Sequence, residues 1–74
     1  MEMKLKQFIG MCAERDREVV IRNSYGTIVA KGTVRNIVFD NKFTWCLIKD
    51  KHLILEAYVY CFHFSDEKLN ITLK

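Results

Sequence analysis

The sequence predicts a small α+β domain, mostly antiparallel β-strand, with one short helix ahead of the sheet. Three observations carry that expectation. Residues 18–37, EVVIRNSYGTIVAKGTVRNI, read as strand, glycine-containing turn and strand. Residues 58–64, YVYCFHF, place aromatic side chains at every second position, the period of a strand. Ahead of both, Leu5, Phe8, Ile9 and Cys12 fall at i, i+3, i+4 and i+7, one stripe of a helix.

The helix is expected over residues 3–13. Lys4, Lys6 and Gln7 lie off its apolar stripe. Gly10 weakens it by about 1 kcal/mol relative to alanine, so packing must hold it. In the hairpin, Val19 and Ile21 alternate on one face and Asn23-Ser24-Tyr25-Gly26 supplies the turn. Ile28 to Val38 then continues apolar and β-branched. Ile28, Ala30, Gly32 and Val34 share one parity and Ile37 and Phe39 take the other, which predicts a bulge or bend at Gly32. Asp40-Asn41-Lys42 signals a turn. Phe43, Trp45 and Leu47, alternating with Thr44, Cys46 and Ile48, form the next expected strand, and Lys49-Asp50-Lys51 breaks it.

Residues 52–57 fit either a strand or a helical turn, because Leu55, Glu56 and Ala57 are helix formers. Beyond them Tyr58, Tyr60, Phe62 and Phe64 share one parity, and Val59, Cys61 and His63 the other. Ser65-Asp66-Glu67-Lys68 makes the last hairpin turn. Leu69, Ile71 and Leu73 alternate with Asn70 and Thr72, the one-sided pattern of an antiparallel strand on a core. The sum is five or six short antiparallel strands in a small barrel or a strongly curled sheet capped by the helix. Closure would hide strand edges that a proline-free, hydrophobic chain otherwise leaves open.

Seventy-four residues make one domain, residues 1–74, with no room for a second core. Half of the residues are hydrophobic, which favours folding over disorder, either alone or as a dimer that hides surplus apolar surface. The net charge of +3 is mild, and the signs are interspersed, as in the solvated connector Glu14-Arg15-Asp16-Arg17-Glu18. Cys12, Cys46 and Cys61 are an odd number with no C-x-x-C, which reads as reduced thiols in the cytoplasm. The start, Met1-Glu2-Met3-Lys4-Leu5-Lys6, is polar and unlike a signal peptide. No apolar stretch approaches the roughly 20 residues of a membrane span.

Cys61-x-His63 is the one close pair of metal-ligand types, with Cys12, Cys46 and His52 as further candidates. Structural zinc sites use close pairs at both ends of a loop, so no metal and no cofactor are expected, and the cysteines read as small buried hydrophobes. Cys61 and His63 as nucleophile and base would need an orienting third group and oxyanion donors, which nothing marks. Gly26 and Gly32 stand alone, without the lysine-serine ending of a phosphate loop. No catalytic residue is assigned, and the chain reads as non-enzymatic.

Two binding functions remain. Protein binding or self-association is favoured, because residues 58–64 offer two apolar faces and a half-covered sheet buries one. The alternative is a small barrel that binds single-stranded nucleic acid, with Arg22, Lys31 and Arg35 beside Tyr25 at the hairpin tip and Trp45, Tyr58, Tyr60 and Phe62 as stacking platforms. The expected contact residues are Arg22, Tyr25, Lys31, Arg35, Tyr58, Tyr60 and Phe62.

Val19-x-Ile21, Gly26, Gly32-x-Val34 and Phe39-Asp40, preceded by a helix, resemble the first motif of Sm-like proteins, and the hairpin is similar to those of SH3-like barrels. That resemblance implies a small barrel. The asparagine that follows such an aspartate in RNA-binding Sm proteins is missing, as is the arginine-glycine pair of the second motif, so it implies no RNA site. More broadly, LKQFIGMC, EVVIRNSYGTIVAKGTV and KLNITLK resemble the style of small uncharacterised proteins from prophages and mobile elements of Firmicutes. This second resemblance implies a phage or mobile-element origin and a role in binding and inhibiting a host or defence protein, in the manner of anti-CRISPR proteins. It carries over no site residue.

Overall fold

The computed structural model describes residues 2–38, 45–46 and 51–74, leaving out the side chains of residues 38, 45, 46, 51 and 52. The elements in chain order are α1 (Leu5–Gly10), β1 (Glu18–Arg22), β2 (Ile28–Thr33), α2 (Val34–Val38), β3 (Trp45–Cys46), α3 (Lys51–Leu55), β4 (Val59–Ser65) and β5 (Lys68–Leu73). The strands form one mixed sheet in the order β3-β2-β1-β5-β4. β1 and β2, and β4 and β5, are antiparallel hairpins. β1 and β5 run parallel at the centre, with Val19 beside Leu69 and Ile21 beside Ile71.

The small, mostly β, α+β domain with an N-terminal helix is as expected; of the expected five or six antiparallel strands in a barrel or a strongly curled sheet, the strand number and the all-antiparallel pairing are corrected. The sheet holds four strands of useful length and the two-residue β3, its central pair is parallel, and among the described residues nothing closes β3 onto β4. The physical reason lies between β2 and β4, where stretches read as strand fold as α2 and α3. Parallel neighbours also cannot be joined by a tight turn, so the intervening chain must cross over a face of the sheet.

The strand-to-helix switch after β2 has a local cause. Thr33 Oγ1 accepts the Asn36 backbone N–H at 3.2 Å, capping the first turn of α2. Val34 and Ile37, three residues apart, then both point into the core. The parity change read as a bulge at Gly32 is this switch. The hairpin does contain a register slip, but it falls between Ile21 and Arg22, opposite Val29. That slip lets the neighbours Val29 and Ala30 both be buried.

α1 is shorter than the expected 3–13 and ends at Gly10. The Lys4 N–H donates to Gln7 Oε1 at 3.0 Å, closing its N-terminus. Of the two readings of residues 52–57, the helical one holds: α3 ends in a bond from Ala57 N to Ile54 O of 3.1 Å. Of the strand expected over 43–48, β3 is the described part. The turn at Asp40-Asn41-Lys42 and the break at Lys49-Asp50 lie outside the described residues.

α1, α2 and α3 cover one face of the sheet. Leu5, Phe8, Ile9, Val34, Ile37 and Ile54 from the helices pack on Val19, Ile21, Ala30, Leu69, Ile71 and Leu73. The opposite face carries Glu18, Val20, Arg22, Lys31, Asn70 and Thr72, as the strand register and their alternation with the core residues require. Among the described residues no helix is long and apolar enough to cross a membrane.

Both hairpin turns use left-handed backbone. In the first, Gly26 has φ 86° and Asn23 Oδ1 accepts the N–H groups of Tyr25 and Thr27, each at 3.0 Å. In the second, Asp66 (φ 54°) and Glu67 (φ 62°) form the mirror-image turn whose twist matches the strands. A Cβ at Glu67 is strained there, and the side chain is exposed. Glu67→Gly is expected to raise stability by about 1 kcal/mol. A thermal melt would show this as a rise of roughly 4–8 °C in midpoint; an unchanged or lower midpoint would contradict it.

Candidate protein-binding edge

β4 is an outer strand, hydrogen-bonded to β5 on one side. The start of its other side is covered: Val59 N donates to Met3 O at 2.9 Å, Leu5 N donates to Ala57 O at 2.8 Å, and Lys4 bridges Tyr58. Beyond Val59 the outer edge has no strand partner among the described residues. Natural sheets blunt such edges with lysine, proline or very short strands. The seven residues of β4, VYCFHFS, contain no acid, lysine, arginine or proline.

A register slip decides which way its side chains face. Val59 pairs with Leu73, then the register slips before Cys61, and Phe62 and Phe64 pair with Ile71 and Leu69. Cross-strand partners share a face, so Val59, Phe62 and Phe64 all lie on the helix-covered face, and Cys61 and His63 on the other. The sequence parity, which grouped Val59 with Cys61 and His63, is corrected by that slip. Val59 is fully buried, whereas Tyr60, Phe62 and Phe64 keep 65%, 43% and 64% of their surface exposed. Phe62 and Phe64 run past the rim of the helix layer, and Tyr60 is the extra residue of the slip, unmatched on β5.

Two contacts hold this aromatic row. The Phe62 ring lies 4.7 Å, centre to centre, from Phe8 at 53°, an inclined arrangement favoured by ring quadrupoles. The Arg17 guanidinium sits 5.5 Å from the centre of the Phe64 ring, within cation–π range. Arg17 is itself fixed by donating to Glu67 O at 3.0 Å and by pairing with Glu14.

The other expected contact residues are dispersed. Tyr25 is at the tip of the first hairpin and 91% exposed. Arg22 and Lys31 share the uncovered sheet face, where Arg22 Nη1 donates to Asn70 Oδ1 at 2.8 Å. Arg35 is on α2, paired with Asp16 at 3.1 Å. Tyr58 precedes β4 and is half-exposed. The fold thus sets Tyr58, Tyr60 and Phe62 along one strand but, through the register slip, turns Tyr58 and Phe62 to opposite faces; it puts Arg22 and Lys31 on one face and leaves Tyr25 and Arg35 apart. Phe64 and Arg17 belong to the edge and were not among the expected residues. Phe64 shares the period-2 signal of Tyr60 and Phe62, but no sequence pattern places Arg17, from the charged connector, over its ring.

Burial pushes the Cys12 thiol up, as suits a small hydrophobe beside the core, and Cys61 is exposed. No group of three or more metal-ligating side chains occurs among the described residues; the side chains of Trp45, Cys46 and His52 lie outside them. A hollow of ≈ 670 Å³ is lined by residues 14–18 and 66–68, which carry charges of both signs and so favour no single-signed ligand. No protein-family model, curated protein or solved structure matches this chain.

Proposed function

We propose that this chain is a non-enzymatic protein-binding module that works through the outer edge of β4. The observation that carries it is an outer strand without acid, lysine or arginine whose aromatic residues, Tyr60, Phe62 and Phe64, are exposed. Such an edge offers main-chain hydrogen bonds to an added strand, and the aromatic row supplies the side-chain contact. A nucleic-acid surface calls for clustered basic residues, whereas Arg22 and Arg35 are each engaged by a neighbour within the chain. The resemblance to prophage and mobile-element proteins favours a host or defence protein as the target.

The test is capture from bacterial lysate by the tagged chain and by a Tyr60→Lys/Phe64→Lys variant, with and without nuclease. Both substitutions fall at exposed positions, and circular dichroism checks that the fold is kept. A protein captured by the parent, retained after nuclease and lost with the variant is the expected result. Capture that survives in the variant would remove β4 as the contact edge. Capture lost on nuclease treatment would transfer the case to Arg22 and Lys31.

A further inference from the structure

We infer that the strand added to β4 is β4 of a second copy, antiparallel across a two-fold axis through Phe62. This rests on the reading of β4 as the contact edge and names what occupies that edge in the isolated protein, before a partner strand displaces it.

The symmetry of the strand limits the pairing. Two antiparallel strands of one sheet are related by a two-fold axis perpendicular to it, which leaves both helix layers on the same side. Directly opposed residues must share a face, so the axis passes through a residue and never between two. Of the axes this allows, the one at Phe62 centres the pairing on the uncovered length of the edge. It places Phe62 opposite itself and Cys61 opposite His63 of the second copy, and it sets Phe64 level with Tyr60, the extra residue of the register slip, in the second copy. Aromatic pairs directly opposed across strands are among the favourable ones. Because Phe8 already lies 4.7 Å from Phe62, the paired phenylalanines would join the two helix layers in one aromatic row.

Charge agrees with this orientation. The middle of β4 has no acid, lysine or arginine, and His63 falls opposite Cys61 and not opposite itself, so no like charges meet there. The far end of the strand carries Asp66, Glu67 and Glu14 against Lys68 and the Arg17 that lies over Phe64, a net negative end. The start of the strand is flanked by Lys4, Lys6 and Lys74 against Glu56 and Glu2, a net positive end. Antiparallel self-pairing lays each acidic turn beside the basic start of the other copy. Parallel pairing would stack like ends together.

Sedimentation equilibrium of the full chain tests this. The parent is expected to sediment as a dimer. In Tyr60→Lys/Phe64→Lys the introduced lysines would face one another across the interface, and the sedimented mass should fall to that of the monomer. In Tyr60→Lys/Phe64→Glu the same positions bring opposite charges together, and the dimer mass should return. A monomeric parent overturns self-pairing, as does a dimer indifferent to the lysine pair or a charge-reversed variant that stays monomeric. A monomeric parent whose lysate capture still depends on Tyr60 and Phe64 would overturn the second copy alone and leave β4 as the contact edge. Loss of both would overturn both.

Discussion

Replacing Ile71 by alanine is expected to remove about half of the stability of this protein. Ile71 is fully buried on β5, the strand that joins the two hairpins. Its side chain faces the helix layer between Ile21 on the parallel side and Phe62 on the antiparallel side. Cutting a buried isoleucine back to alanine costs about 2–5 kcal/mol, the upper part where neighbours cannot collapse into the space. Strand neighbours on both sides restrict such collapse. At roughly 0.05–0.15 kcal/mol per residue, a chain of 74 residues has about 4–11 kcal/mol in total, so a loss of this size leaves a marginal fold. Urea unfolding of Ile71→Ala, read against Thr72→Ala on the opposite face of the same strand, makes the comparison. A cost for Ile71→Ala no larger than for Thr72→Ala would refute the central place of β5.

The elements legible in the sequence were those whose signal is local. The first hairpin turn follows from Asn23 and Gly26, the second from Ser65 to Lys68, and β5 from the alternation of Leu69, Ile71 and Leu73 with Asn70 and Thr72. What was not legible depends on residues distant in the chain. Nothing within β1 or β5 distinguishes a parallel partner from an antiparallel one, so the central pair was misassigned. The run after Gly32 is β-branched and reads as strand, yet Thr33 caps a helix there, and the spacing of Val34 and Ile37 fits a helical turn as well as a change of strand parity. Residues 52–57 were ambiguous in sequence because short apolar runs fit both periods. At the candidate edge, the aromatic period of Tyr60, Phe62 and Phe64 was readable, but the face that Phe62 and Phe64 share with Val59 was not. The register slip before Cys61 sets that, and such a slip leaves no mark in the hydrophobic pattern.

Phe8 links the helix layer to the edge, and its loss is expected to cost about 3–5 kcal/mol. It is nearly buried on α1, beside the fully buried Leu5 and Ile9, and its ring is the one against which Phe62 packs. α1 is only six residues long and ends in glycine, too short to persist without tertiary packing. Removing Phe8 should therefore loosen α1 and free Phe62 together. A double-mutant cycle of Phe8→Ala and Phe62→Ala separates the two effects, because the ring pair itself contributes only about 0.5–1.5 kcal/mol of coupling. The unfolding measurements belong at the lowest protein concentration that gives a signal, so that association of copies does not enter. Coupling in that range would mean that α1 both completes the core and holds the aromatic edge in its exposed position. Strict additivity would mean that Phe62 is placed by β5 alone, and that the helix has no part in presenting the edge.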